Sequence, residues 1–479
     1  MTNTMLKLGL KLIQILGLFL GILLTGGLAR AAHPASSCYL DGQNPNAQIE
    51  GEQIDLRLPL GSVSKLVTTY WALSVLKPTF RFGTRIYITP IATKDKNHQT
   101  VDIHFEGSRD PYIGKESLHY LISELNKRKI FKIRNLTFDD NFKFFWNVGG
   151  GPMLTRRHQS VETGYFGPND PSNTEVGAEL RRYKSNLGFG YEKTREYLKK
   201  FNIDLIPGAK VSVQTVKYVS ASDYHPDDGT FVRLIYSSPL LMLLREMNRT
   251  SNNHAANQIF EHLGGAEKFR EFIQQDGFTE NDILFVNGHG NRKDLPDQTS
   301  IYNEASCKTI VTIMSRLRKK LTFLKMDLDE VLPVPGADEK STLGAYKDST
   351  YADSVAAKTG TVGPAVTLAG MLKTKNGPVY FMFNMSTEGT QKDWSKARKT
   401  IASELIALTQ KFNGGMPFDT QQVKFLAFDP ELFFQADDWK DSSDEGTVTP
   451  HPQVPQNPPN DKTSHRSVSV ADSPPPSRL

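Results

Sequence analysis

The 479-residue chain carries 57 Lys plus Arg against 52 Asp plus Glu, a formal net charge of +5, with 38% hydrophobic and 23% charged residues. A single core rarely grows beyond roughly 250–300 residues, so this length predicts at least two, and a mean hydropathy of −0.41 excludes a bundle of membrane helices. The charge is small and spread without a long basic run, so no nucleic-acid partner is expected, and two cysteines, Cys38 and Cys307, are too few for a disulfide scaffold or thiol metal site.

Residues 1–31 read as a secretory signal peptide: Lys7 and Lys11, an apolar run from Leu12 to Leu28, and Ala29-Arg30-Ala31 as a small-x-small cleavage site. The alternative is an uncleaved anchor, the only membrane contact expected. Either way the mature chain is placed outside the cytoplasm, periplasmic or secreted. Cys38 lies too far beyond the apolar run for lipidation, and spacing leaves open whether it pairs with Cys307.

Apolar residues at Val63, Leu66, Val67, Tyr70, Trp71, Leu73 and Leu76 predict a mostly buried helix over Ser62 to Leu76. Alternating β-rich runs, Thr84 to Thr89 and Val101 to Phe105, predict strands around a turn at Lys94 to Asn97. A helix over Glu116 to Arg128, a strand over Lys132 to Phe138 and a long Gly- and Pro-rich loop from Val148 to Asn173 follow. Further helices are expected around Tyr191 to Phe201, Leu240 to Met247 and Ala255 to Leu263, with a strand around Lys210 to Tyr218. A hairpin, Val366 to Lys373 and Val379 to Met385 around Asn376-Gly377, precedes a long helix from Asp393 to Phe412. From Asp437 the composition turns to Asp, Ser, Pro, Asn and Gln, which predicts a disordered tail.

Three short motifs lie in one order. In Ser62-Val63-Ser64-Lys65, helical spacing puts the hydroxyl and the amine on one face, where a desolvated lysine could serve as the base for a serine nucleophile. In Ser251-Asn252-Asn253, a hydroxyl and an amide two residues apart could converge on a cleft, although Ser and Asn are also ordinary helix caps. In Lys358-Thr359-Gly360-Thr361, an edge strand would offer a cation for a carboxylate, a hydroxyl and close backbone approach.

Together the three motifs resemble those of serine acyl-enzymes that recognise penicillin. The long interval from Ser62 to Ser251, and the shorter one to Lys358, resemble the D-alanyl-D-alanine carboxypeptidase and endopeptidase family, low-molecular-mass class C penicillin-binding proteins with a domain inserted between the first two motifs. Gly61, the turn Glu106-Gly107-Ser108-Arg109-Asp110-Pro111, Leu332-Pro333-Val334-Pro335-Gly336 and Ala356-Ala357 before Lys358 match that branch as well. The resemblance covers roughly Gln43 to Phe412.

The resemblance implies an α/β (multi-domain α+β) fold, with a β-lactamase/transpeptidase-like domain whose antiparallel sheet is flanked by helices, plus a smaller inserted α+β domain. The expected division is a catalytic domain from residues 32–79 and 233–415, an insert at 80–232, a C-terminal extension at 416–436 and a tail at 437–479. It further implies Ser62 as the acylated nucleophile, Lys65 as its base, and Ser251 and Asn253 as the second catalytic element. Lys358, Thr359, Gly360 and Thr361 would form the substrate strand, the amides of Ser62 and Thr361 the oxyanion hole, and Asp140 a contact for a diaminopimelate amino group. Asp139 is an equal claimant to that contact. The expected partners are peptidoglycan stem peptides, their cross-links and β-lactam antibiotics. No metal or cofactor is implied.

Three features depart from the family pattern. Asn287-Gly288-His289-Gly290-Asn291-Arg292 stands where Asp-Gly-Ser-Gly-Leu-Ser is usual, Asn252 stands where Asp is common, and the insert is short, with Gly149-Gly150-Gly151 where a nested domain would sit. The short insert predicts a cleft open to cross-linked substrate. His254 and His262 with Glu261 lack the His-Glu-x-x-His spacing and are expected on a helix surface. Alternative functions are a β-lactamase or esterase of the same superfamily, marked by fast turnover of the drug adduct, and a non-catalytic peptidoglycan-binding protein, marked by binding without turnover.

Overall fold

The computed structural model describes residues 35–44, 46–92, 99–143, 190–295, 299–338, 341–420 and 424–436. The expected signal peptide, the Lys94 to Asn97 turn, the loop from Val148 to Asn173 and the tail lie outside them. In chain order come β1 (Ser36–Asp41), β2 (Glu50–Glu52), β3 (Arg57–Pro59), a 3₁₀ turn (Gly61–Val63) and α1 (Ser64–Val75). Next are β4 (Gly83–Ile91), β5 (Gln99–Glu106), α2 (Lys115–Lys127), β6 (Ile130–Phe138), α3 (Tyr191–Leu198), β7 (Ser212–Tyr218) and β8 (Phe231–Ser237). Helices α4 (Leu240–Thr250), α5 (Asn253–His262) and α6 (Gly265–Gln275) precede four short strands, β9 (Ile283–Leu284), β10 (Lys293–Asp294), β11 (Ser300–Ile301) and β12 (Glu304–Ser306). The chain continues through α7 (Cys307–Phe323), β13 (Val355–Val362), β14 (Ala365–Thr374), β15 (Gly377–Ser386), α8 (Gln391–Lys411) and β16 (Phe428–Ala436).

Two large sheets organise most of these elements, beside the small sheets β3-β12-β9 and β10-β11. The first is antiparallel, in the order β13-β14-β15-β1-β2. Strands β13, β14 and β15 are apolar on both faces because both are covered, which abolishes the polar alternation of a half-exposed sheet, while β2 at the far edge is exposed. On one face Val355, Ala357, Leu368 and Phe381 pack with Ala397, Ile401 and Leu405 of α8. On the other, Ala356, Ala369, Met371 and Met382 join Leu66 and Val67 of α1 and Ile310 and Met314 of α7. Helix α1 is buried from Ser64 through Leu73, its polar residues Ser64, Lys65, Thr68 and Thr69 included.

The second sheet is mixed, in the order β16-β8-β4-β5-β6-β7, with β5-β6-β7 parallel. Strand β16, from the chain's C-terminal part, pairs with β8 and completes a sheet whose other five strands come from residues 83–237. The sequence assigned no element to β1, β8, α6, α7 or β16. Strand β1 has little alternation of its own; its register on β15 (Cys38 opposite Met382) and a Cys38–Cys307 disulfide hold it from outside. That bridge settles the pairing that spacing left open. Among the described residues, no helix is long and apolar enough to cross a membrane.

Candidate active site

Ser62 opens the turn into α1, and its position follows from two glycines. Gly61 has φ +52°, and a Cβ there would stand 2.8 Å from the Thr361 amide nitrogen. A Cβ on Gly360 would meet Thr367 Oγ1 at 2.1 Å, Leu60 O at 2.2 Å and Ser62 N at 3.1 Å. The missing side chains therefore let β13 run against the start of α1 and bring the amides of Ser62 and Thr361 to one seam. Thr367 Oγ1, on the neighbouring strand β14, donates to Leu60 O at 2.7 Å and ties the sheet to the start of this turn.

One turn on, Lys65 is fully buried, with its Nζ 2.9 Å from Ser62 Oγ, 2.7 Å from Asn253 Oδ1 and 3.2 Å from His289 O. No carboxylate is among these neighbours. Burial, and then the nearby Lys358 charge, drive its pKa well below the ordinary lysine value. Both Asn253 Oδ1 and His289 O can only accept hydrogen bonds. In its neutral form Lys65 can give its two N–H groups to these acceptors and keep its lone pair for the Ser62 hydroxyl.

Ser251 ends α4 with φ +56°, a left-handed residue that reverses the chain before α5. The cap of α5 is Asn252, whose Oδ1 accepts from Ala255 N at 3.0 Å. Because the middle residue takes the capping duty, Ser251 and Asn253 are available for the cleft, which joins the two alternatives open at the sequence level.

Lys358 is also fully buried, its pKa lowered by desolvation to about 7. Its Nζ donates to Ser251 Oγ and to Thr359 O, both at 3.0 Å. Ala357 N donates to Pro333 O at 3.1 Å, so the Leu332 to Gly336 segment braces this edge strand just below Lys358. Thr359 Oγ1 donates to Thr342 Oγ1 at 2.8 Å, and Arg398 Nη2 donates to Thr361 Oγ1 at 3.2 Å. The structure thus gathers Ser62, Lys65, Ser251, Asn253 and Lys358 to Thr361 from parts of the chain far apart in sequence.

The Asn287 to Asn291 turn is a wall of this site that sequence reasoning did not assign. Asn287 Oδ1 accepts from His289 N at 3.2 Å and Gly290 N at 2.7 Å, and Thr68 Oγ1 donates to Gly288 O at 2.9 Å. A Cβ on Gly290 would stand 1.9 Å from Gly61 O, so only glycine lets the turn approach the segment that carries Ser62. Its two glycines were visible as a signal; the backbone carbonyl that it presents to Lys65 was not. Thr342 and Arg398 were likewise missed, since neither belongs to a motif.

Asp139 and Asp140 separate clearly. Asp139 is buried, and its Oδ1 accepts from the amides of Gly107 (2.9 Å), Asn141 (3.0 Å) and Phe142 (2.9 Å). Asp140 is exposed and accepts from the Tyr218 hydroxyl. His254, expected on a helix surface, is buried, because α5 turns that face inward. Among the described residues no His, Cys, Asp and Glu group is arranged to hold a metal.

A hydroxyl, a desolvated amine and two converging amides are the equipment of a serine acyl-enzyme. The chain belongs to the D-Ala-D-Ala carboxypeptidase 3 (S13) family, whose profile matches residues 41–144 and 212–409. It is 32% identical to a predatory endopeptidase from Bdellovibrio bacteriovorus solved in complex with an immunity protein, at a TM-score of 0.74 over 84% of this chain and 99% of that one. The penicillin G-acylated form of that endopeptidase matches at 31% identity and a TM-score of 0.72, with 84% and 99% covered. Penicillin-binding protein 4 from Haemophilus influenzae shares the fold at 17% identity, with a TM-score of 0.51 over 78% of this chain and 98% of that one. No match was found among curated proteins.

Proposed function

We propose that this chain is an exported serine-type D-alanyl-D-alanine carboxypeptidase and DD-endopeptidase that acts on peptidoglycan peptides through a Ser62 acyl-enzyme. The observation that carries this reading is Lys65 Nζ, 2.9 Å from Ser62 Oγ and held by two acceptors that leave its lone pair for the serine proton. Ser62 Oγ attacks the carbonyl of the penultimate D-alanine as Lys65 takes the hydroxyl proton. The oxyanion that develops is met by the amides of Ser62 and Thr361. Ser251, hydrogen-bonded to Lys358, passes a proton to the departing amine, and water then hydrolyses the ester.

The likeness to endopeptidases at 31–32% identity supports the endopeptidase half, and the family's description supports the carboxypeptidase half. β-Lactams acylate Ser62 by the same route as substrate, a reading supported by the penicillin G-acylated relative. An enzyme acting on peptidoglycan works outside the cytoplasm; residues 1–31 as a signal peptide, and a periplasmic or secreted mature chain, are part of this proposal. So are the catalytic domain at 32–79 and 233–415 and the insert at 80–232, with the insert's sheet running past that bound to Ser237 in β8 and taking β16 from the C-terminal extension. Asp140 is assigned to the substrate's amino group, because its exposed carboxylate can be reached while Asp139 is committed to three backbone amides.

The test is digestion of cross-linked muropeptides by wild type and Ser62→Ala, with products separated by mass. Serine-dependent loss of terminal D-alanine and conversion of dimers to monomers is the expected result. Unchanged muropeptides with both proteins would sink the proposal in favour of a binding role.

A further inference from the structure

Any substrate of the reaction proposed above, terminal or cross-linked, leaves with a D-amino acid whose carboxylate is free, and a β-lactam carries an equivalent carboxylate. The sequence offered Lys358 as the cation for it. In the folded chain Lys358 is fully buried and its Nζ is engaged by Ser251 Oγ and Thr359 O. Both contacts turn its Nζ toward Ser251 and its own strand.

The opposite face of the same strand holds a different cation. Side chains alternate along β13, so Val355, Ala357, Thr359 and Thr361 form one row and Lys358 and Gly360 belong to the other. The first two of that row pack against Ala397 and Ile401 of α8. The row then emerges from the core as two hydroxyls, and the residue that α8 sets beside them is Arg398, half-buried, with Nη2 3.2 Å from Thr361 Oγ1. Its neighbours three and four places away on α8 are Trp394, Ser395, Ile401 and Ala402, none of them acidic. Among the described residues no carboxylate lies within ion-pair distance of Arg398.

We propose that Arg398 is the cation that receives the carboxylate of the leaving residue, seated between the hydroxyls of Thr359 and Thr361. The Thr361 hydroxyl accepts from Arg398 and keeps its own proton to donate to an anion. Thr359 and Thr361 are two residues apart on a strand, about 6.6 Å, which a carboxylate bridges with one hydrogen bond to each once the Thr359 hydroxyl turns its proton from Thr342 Oγ1 to the anion. Thr361 thus serves both ends of the reacting unit: its amide faces the seam with Ser62, and its hydroxyl faces Arg398. Thr342, whose Oγ1 accepts from Thr359 and whose N–H donates to Arg249 O at 3.2 Å, braces the subsite from the chain just before Ser251. A planar guanidinium with several donors suits this task better than an ammonium, since it can hold Thr361 and a carboxylate at once.

This inference rests on the acyl-enzyme reading, and the experiment separates the two. The rate of Ser62 acylation by benzylpenicillin and by its uncharged methyl ester is followed by intact-protein mass spectrometry for wild type, Arg398→Gln, Arg398→Lys and Thr361→Val. Arg398→Gln should slow the carboxylate form by about 10- to 100-fold and the ester by no more than about 3-fold, with Arg398→Lys restoring part of the difference. Thr361→Val should show the same selectivity with its backbone amide intact. Equal slowing of acid and ester, or no slowing of either, overturns the assignment while leaving the acyl-enzyme in place. Absence of any Ser62 adduct in wild type overturns the acyl-enzyme reading and this one with it.

Discussion

The Nζ of Lys65 lies 2.7 Å from the Oδ1 of Asn253, across 188 residues of sequence and the whole of the intervening sheet of β4 to β8. The amide is uncharged, so it orients the lysine without holding a proton on it. A carboxylate in the same place would pull the lysine pKa back up. Asn253→Asp should therefore reduce Ser62 acylation at pH 7 by about 100-fold and move the rising limb of the pH profile upward by about one to two units. A profile that stays where it is in wild type would contradict an orienting role for Asn253.

Lys358 has its pKa lowered by burial from 10.5 to about 7. Between those values the unfolded chain holds the proton and the folded chain does not, so this group makes stability rise with pH across that window. The slope is at most about 1.4 kcal/mol per pH unit. Lys358→Met should remove its part of the rise. Thermal melts of both proteins at pH 7 and pH 9.5 test this: the variant's advantage should shrink as pH increases, and a pH-independent difference would show that Lys358 is not desolvated in solution.

Gly360→Ala would place a methyl 2.1 Å from Thr367 Oγ1 and 2.2 Å from Leu60 O. The threonine could rotate, but the carbonyl could not, so β13 must shift away from Ser62. We expect a stability loss of about 1–3 kcal/mol and acylation slowed far beyond what that loss explains. Adding Thr367→Ala should leave the defect in place; full rescue by it would mean the backbone contact is unimportant.

The Cys38–Cys307 bridge closes a loop of 269 residues and ties β1 to the start of α7. It sits three strand spacings, about 14 Å, from β13. Cys38→Ser with Cys307→Ser should lower stability by about 2–5 kcal/mol while Ser62 acylation at low temperature stays within about two-fold of wild type. Loss of acylation in a variant that is still folded would place the bridge in the active-site architecture instead.

Much of this protein was legible as text. Elements with a strong local pattern were found close to their observed bounds: α1 from its apolar run, β4 and β5 from alternation, and the β14-β15 hairpin around Asn376-Gly377. Elements whose pattern is short or whose support is remote were not. Strand β16 is called into the second sheet by β8, and β1 by β15 and a disulfide, and no local signal records either pairing. The motifs nominated Ser62, Lys65, Ser251, Asn253 and Lys358 because those side chains have few chemical roles at such spacings.

What the sequence determined by itself was the set of reactive groups and their order, since nucleophile, base and relay are properties of residue type. What only the tertiary structure decided was their electrical state and their division of labour. Lys65 and Lys358 become weak bases because the fold removes water from both, and desolvation is a property of surroundings that no local spacing encodes. Asn252 takes the cap, the His289 carbonyl accepts a hydrogen bond from Lys65, and Arg398 reaches Thr361, because distant segments arrive at the same few ångströms.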